Sequence, residues 1–218
     1  MNTRTTLDEK LELIREDLSR MSALVEENIS RASAAMKSRD QELVKLVKTA
    51  DKNIDILQLK IEDETAKLIA TESPVARDLR EMVCIFKLAS NIERAGDYAV
   101  HLAKATAKLK DRPALRSMEH MEIMANTGCR MIRGAMLAYR NHDAKAARSV
   151  AALDDIIDKE HKALTEETLN FMKKHPDLIK KTARILTVSN FLERLGDHIT
   201  NICEAILYMV ENKHEELN

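Results

Sequence analysis

The stretch Ile92-Glu93-Arg94-Ala95-Gly96-Asp97-Tyr98 returns 100 positions later as Leu192-Glu193-Arg194-Leu195-Gly196-Asp197-His198. Upstream, Asp51-Lys52-Asn53-Ile54-Asp55 is matched by Asp154-Asp155-Ile156-Ile157-Asp158, and Pro74 by Pro176. Offsets that agree this closely over three segments describe a duplicated unit. Around these landmarks the apolar residues fall at helical spacing, as in Leu43, Val47, Ala50, Ile54, Leu57, Ile61 and Leu68. Polar or proline-containing breaks stand at Ser38-Arg39-Asp40, Thr71 to Pro74, Lys110 to Pro113, Asn141 to Asp143 and Lys174 to Pro176. The spacing predicts an all-α chain of six long helices over 7–37, 41–70, 75–110, 114–140, 143–173 and 177–212. Ser73 is expected to cap the third, with Pro74 in its first turn. Short turns make neighbours antiparallel, so the expected architecture is two homologous three-helix bundles, 1–112 and 113–218.

Composition narrows the function. The four glycines, Gly96, Gly128, Gly134 and Gly196, are too scattered for a P-loop or a dinucleotide turn. Three Phe, three Tyr and no Trp, with a net charge of −1, offer neither stacking platforms nor a basic field, which argues against direct nucleic-acid binding. Cys84, Cys129 and Cys203 form no CxxC and read as small core residues of a reduced compartment. The N-terminus carries no apolar signal core and no apolar run reaches the roughly 18 residues of a membrane span, so a soluble intracellular protein is expected.

Each repeat carries two acidic pairs at i,i+4: Asp51/Asp55 with Glu93/Asp97, and Asp154/Asp158 with Glu193/Asp197. Residues so spaced share one helix face. A chain this acidic holds roughly six such pairs by chance, so position and repetition carry the signal rather than any one pair. On the third helix the row Leu79, Val83, Phe86, Ser90 runs straight into Glu93 and Asp97, which predicts carboxylates continuing a buried stripe. Arg94 and Arg194 point about 100° away and are not expected to neutralise their neighbours. Glycine inside a helix costs about 1 kcal/mol against alanine, so Gly96 and Gly196 predict close approach of a helix or ligand. Four carboxylates from two facing helices suit a multinuclear site for a hard cation such as Mg²⁺, Mn²⁺, Ca²⁺ or oxidised iron, and a histidine, His101 or His161, would admit Zn²⁺.

With these features the chain resembles the PhoU family of phosphate-transport regulatory proteins. The resemblance rests on the doubled Glu-Arg-x-Gly-Asp at 93–97 and 193–197, the segment Ala76-Arg77-Asp78-Leu79-Arg80 and the acidic pairs of the middle helices. It implies a cytoplasmic, non-enzymatic protein of paired three-helix bundles, often a homodimer and without membrane insertion. It further implies binding of multinuclear iron or zinc clusters through the acidic motifs. The implied role is a negative regulator linking a phosphate ABC transporter, through its ATPase subunit, to a histidine sensor kinase. The second repeat departs from the pattern at Ile179-Lys180-Lys181-Thr182-Ala183-Arg184, and Asp154/Asp155 leave the register of its middle-helix pair open by one residue.

Two rivals remain. A di-iron carboxylate enzyme or iron store needs Glu-x-x-His on two helices, and the chain has only Glu211-Asn212-Lys213-His214. A helical spacer without metal would make the acidic pairs dispensable. No anion-cradling loop suggests direct phosphate binding.

Overall fold

A computed structural model describes residues 3–106 and 117–217, and their side chains from 7 to 105 and from 117 to 217. The helices are α1 (Thr3–Ser38), α2 (Gln41–Glu72), α3 (Ala76–Thr106), α4 (Ser117–Arg140), α5 (Ala144–Ala151), α6 (Asp154–Lys174) and α7 (Ile179–Glu211), with a 3₁₀ turn at Pro176–Leu178. No strand occurs among the described residues. The expected joint at 112/113 and the ends of the third and fourth helices between 107 and 116 lie outside them.

Local chemistry explains the boundaries. Asp40 accepts the Glu42 N–H (2.8 Å) to start α2, and Asp143 accepts that of Ala146 (2.9 Å) to start α5. Arg39, Ser73, His142 and Asn212 close helices in the left-handed region, while none of the glycines has positive φ. Glycine is therefore absent from the helix ends where it usually serves and is confined to helix interiors. Ser73 ends α2 rather than capping α3, because Pro74 follows it and cannot continue the helix. The expected helix 143–173 is broken after Ala151: the Ala152 N–H bonds back to Arg148, and Leu153 and Ile156 make three-residue turn bonds. That break puts Asp154 in the first turn of α6.

The repeats pack as a pseudo-twofold pair. α1 meets α2 and α3 as α4 meets α6 and α7, and across the pair α1 packs on α4 and α3 on α7. Buried Ile54, Ile85, Ile92, Met124, Ile157, Ile199 and Ile206 belong to one continuous core, with the methionines of α4 filling it. The α3/α7 seam shows the symmetry directly. Tyr98 and His198, equivalent residues, stack with centroids 5.6 Å apart, Phe191 lies 6.2 Å from Tyr98, and the His198 Nδ1–H donates to Asn91 Oδ1 (2.9 Å). These pairs run in opposite senses along the two helices, so α3 and α7 are antiparallel and the two hairpin turns, 73–75 and 175–178, stand at opposite ends. Between the repeats, buried Glu81 receives Arg15 from α1 through Nε (2.8 Å) and Nη2 (2.9 Å), and the Tyr139 hydroxyl from α4 (3.2 Å). No described helix is long and apolar enough to cross a membrane.

The stripe Leu79, Val83 is not core: these side chains are 40% and 37% exposed, and Phe86 is half-buried. The buried face of α3 is instead Met82, Ile85, Leu88, Ala89 and Ile92. Cys84 and Cys203 are buried as expected, while Cys129 is half-buried.

Candidate metal centres

Gly96 and Gly196 mark where the middle and last helices of each unit cross. A Cβ on Gly96 would lie 3.3 Å from Ile54 Cδ1 and 3.4 Å from Val25 Cγ2, and one on Gly196 would fall on Asp154 Oδ1 and 3.0 Å from Ile157 Cδ1. Ile54 and Ile157 are equivalent, so the same close approach is built twice. It brings the Asp51 and Asp154 helices against the Glu93/Asp97 and Glu193/Asp197 faces. Asp154, three residues before Ile157 as Asp51 is before Ile54, is the counterpart; Asp155 is exposed.

In the first unit Asp51, Glu93 and Asp97 are half-buried and Asp55 is exposed. Burial pushes Asp51 up to about 6, with the charges of Asp55 and Asp97 adding to it. Glu93 is raised first by burial, then by Asp97, with smaller contributions from Asp55 and Asp51. The four carboxylates of α2 and α3 therefore share one electrostatic neighbourhood. In the second unit Asp154 is 4% exposed and burial pushes it up to about 7; Asp158, Asp197 and Glu193 reinforce the shift. Its Oδ2 accepts the Thr200 hydroxyl (3.1 Å), while Oδ1 is buried without a partner in the notch left by Gly196. Burial also raises Glu193 and Asp197. A cleft of about 410 Å³ opens on this group, lined by Asp154, Asp158, Glu193 and Asp197 with Arg148 and Leu217.

The arginines do reach the acids. Arg94 stands 3.7 Å from Glu93 and 3.8 Å from Asp97, and Arg194 3.6 Å from Glu193 and 3.4 Å from Asp197. Long side chains bend across the 100° that separates them on the helix. Both guanidiniums are about 60% exposed, and such surface pairs are worth about 0–1 kcal/mol. They do not cancel the shifts.

Four clustered carboxylates per site, with the proton affinity of Asp51 and Glu93 raised in the first and of Asp154, Glu193 and Asp197 in the second, and an orphaned buried oxygen on Asp154, suit a hard cation, which would replace protons and solvent together. Among the described residues no three His, Cys, Asp or Glu side chains stand in closed ligand geometry. His161 is near enough to Glu193 to lower its proton affinity, and its Nδ1 is 2.8 Å from Ser189 Oγ. His101 is exposed and lies against Tyr98 and Phe191 at the α3/α7 seam. Glu211 of the lone Glu-x-x-His is taken by Arg148 (2.7 and 2.9 Å), and His214 stacks on Tyr208.

The PhoU domain matches this chain twice, over residues 18–106 and 121–206. The chain belongs to the PhoU family. The two PhoU matches fall on the two structural repeats. Relatives include the phosphate-specific transport system accessory protein PhoU homologue of Clostridium acetobutylicum, 31% identical over 217 residues and 99% of both chains. The homologue from Deinococcus radiodurans is 32% identical over 174 residues, 80% of this chain and 82% of its own. The crystal structure of PhoU from Pseudomonas aeruginosa superposes with a TM-score of 0.89 at 30% identity, covering 94% of this chain and 99% of that one. The phosphate transport system regulatory protein PhoU from Streptococcus pneumoniae gives 0.90 at 31%, with 97% and 100% covered.

Sequence reading missed Glu81, Thr200, Arg148 and the C-terminal segment. Glu81 could have been found: with Ile85, Leu88 and Ile92 it falls on the buried face of α3, where an acid needs a cation. Arg148 carries no such signal, since one partner, Glu211, is the last residue of α7 and the other, Glu215 (2.6 Å), lies beyond the helix.

Proposed function

We propose that this protein is an accessory regulator of phosphate transport that represses phosphate-starvation genes when phosphate is plentiful. It acts as a cytoplasmic adaptor, without catalysis, between the ATPase subunit of a phosphate ABC transporter and a histidine sensor kinase. Membership of a family whose relatives are phosphate transport accessory proteins supports the role. The observation that carries the site is the pair of four-carboxylate groups, repeated on equivalent helices and facing a crossing held open by glycine. Asp51, Asp55, Glu93 and Asp97 would hold one multinuclear metal group, and Asp154, Asp158, Glu193 and Asp197 the other. A bound metal supplies positive charge that ties the middle and last helices together. All-oxygen ligation favours oxidised iron, Mg²⁺, Mn²⁺ or Ca²⁺, and zinc would draw on His161. The half-exposed apolar row Leu79, Val83, Phe86, ending at Glu93, supports docking or homodimerisation beside the first group.

Deletion of the gene should switch on a phosphate-starvation reporter in phosphate-rich medium; continued repression overturns the regulatory role. Untagged protein should lose about half its metal on Glu93→Ala with Asp97→Ala. Negligible metal in both proteins overturns the metal assignment alone.

A further inference from the structure

The two hairpin turns at opposite ends of the molecule are equivalent by the repeat and opposite in charge. Residues 173–184, around Pro176, hold Lys173, Lys174, Lys180, Lys181 and Arg184 against the single acid Asp177. Residues 71–82, around Pro74, hold Arg77 and Arg80 against Glu72, Asp78 and Glu81. The chain as a whole is at −1, so the second tip is a local basic pole. All five of its basic side chains are exposed. The turn Pro176–Leu178 packs against α6 and α7, the two helices of its own hairpin. Large apolar side chains stand among the lysines: Leu169 and Ile179 are each 45% exposed.

We propose that this tip is a docking surface for an anionic lipid bilayer. Lysine ammoniums are flexible point charges suited to a diffuse sheet of phosphates, whereas recognition of one acidic peptide favours the planar fork of arginine; four of the five basic residues are Lys. Exposed Leu169 and Ile179 are placed to enter the headgroup layer beside the charges, the combination that interfacial binding uses. The tip lies about 22 Å along α7 from Glu193, so lipid contact leaves the second carboxylate cleft open. The surface is independent of metal binding.

Full-length protein is sedimented with vesicles of phosphatidylcholine containing phosphatidylglycerol, and with pure phosphatidylcholine, at low and high salt. Binding is expected only to the anionic vesicles and should weaken with salt. Each basic residue near such a surface is worth roughly fivefold, so K173E/K174E/K180E should weaken binding about 100-fold or more. K48E/K145E/K213E, with the same change in net charge on exposed sites elsewhere, should stay within about threefold, and melting curves of both variants check the fold. Ile179→Ser should lower binding at high salt, where the charges are screened. Equal loss in the two triple variants, absence of anionic-vesicle binding, or tip-dependent binding of an acidic polypeptide without vesicle binding would each overturn the lipid surface.

Discussion

Replacing Asp154 by asparagine removes a charge from the most enclosed place in the second cluster and keeps an oxygen for Thr200. Asp154 titrates at 3.8 when unhindered and near 7 in the fold, because burial and the neighbouring acids oppose its ionisation. Between those values the native state holds a proton that the unfolded chain has released. Stability of the metal-free protein therefore falls as pH rises from about 4 to about 7 and is level above. The full shift corresponds to about 4 kcal/mol at about 1.36 kcal/mol per unit. Water in the cleft and rotation of Asp158, Glu193 and Asp197 reduce this to roughly 2 kcal/mol. Urea unfolding of chelator-treated protein at about pH 5 and about pH 8 measures it. The wild type should lose roughly 1 kcal/mol between the two, because the part of the shift below about pH 5 is already lost at the first, and Asp154→Asn should lose less than half of that. At the higher pH the variant should be the more stable by about 1 kcal/mol or more without metal. Excess Mn²⁺ or Fe³⁺ should reverse the order, because only the wild type gains full binding energy. A wild type as stable at pH 8 as at pH 5, or a variant less stable than wild type in chelator at pH 8, refutes the burial argument.

Gly196→Ala should cost about 2–3 kcal/mol, since its Cβ falls on Asp154 Oδ1, whereas Gly96→Ala, facing the movable ends of Ile54 and Val25, should stay within about 1 kcal/mol; thermal melts compare them. Glu81→Ala leaves the Arg15 guanidinium and Tyr139 hydroxyl without their shared acceptor and should cost about 3 kcal/mol in chemical denaturation; a loss under about 1 kcal/mol would show that the two repeats do not depend on this contact. Ending the chain after Asn212 removes Glu215, which Arg148 binds, and Leu217, whose N–H bonds Glu204 (2.9 Å) and whose side chain lines the second cleft. Release of Mn²⁺ to a chelator should become at least several-fold faster from the second cluster and stay unchanged from the first.

The helices and the duplication were legible because both are periodic: Ile54 and Ile157, or Glu93 and Glu193, announce themselves by spacing. The four acidic pairs were legible for the same reason, and the structure places each pair against its partner across a glycine. What spacing could not show is which flank of a helix becomes core. Leu79, Val83 and Phe86 repeat at helical intervals as faithfully as Met82, Ile85 and Ala89, one row over, and the packing of α1, α2 and α7 around α3 decides which set is covered. The break at Ala152 was hidden because Ala, Leu and Asp there are compatible with a continuous helix; the turn bonds that interrupt it are a tertiary choice. The reach of Arg94 and Arg194 escaped an argument drawn from Cβ directions, which ignores several rotatable bonds.

The break has an energetic consequence that the repeated sequence conceals. In the first unit Asp51 sits inside the continuous α2, far from either helix end, and Val100 occupies the place where the second unit has Thr200. In the second unit Asp154 stands in the first turn of α6, where unpaired backbone N–H groups and the helix dipole favour an anion, and Thr200 donates to it. Both effects should hold Asp154 more acidic than Asp51. It is nonetheless the more strongly raised of the two, because it is buried against Gly196 while Asp51 keeps contact with solvent. Desolvation at Asp154 thus outweighs the hydroxyl that Thr200 donates to it. Restoring a neighbouring positive charge, as a bound cation does, therefore returns more free energy at the second cluster than at the first.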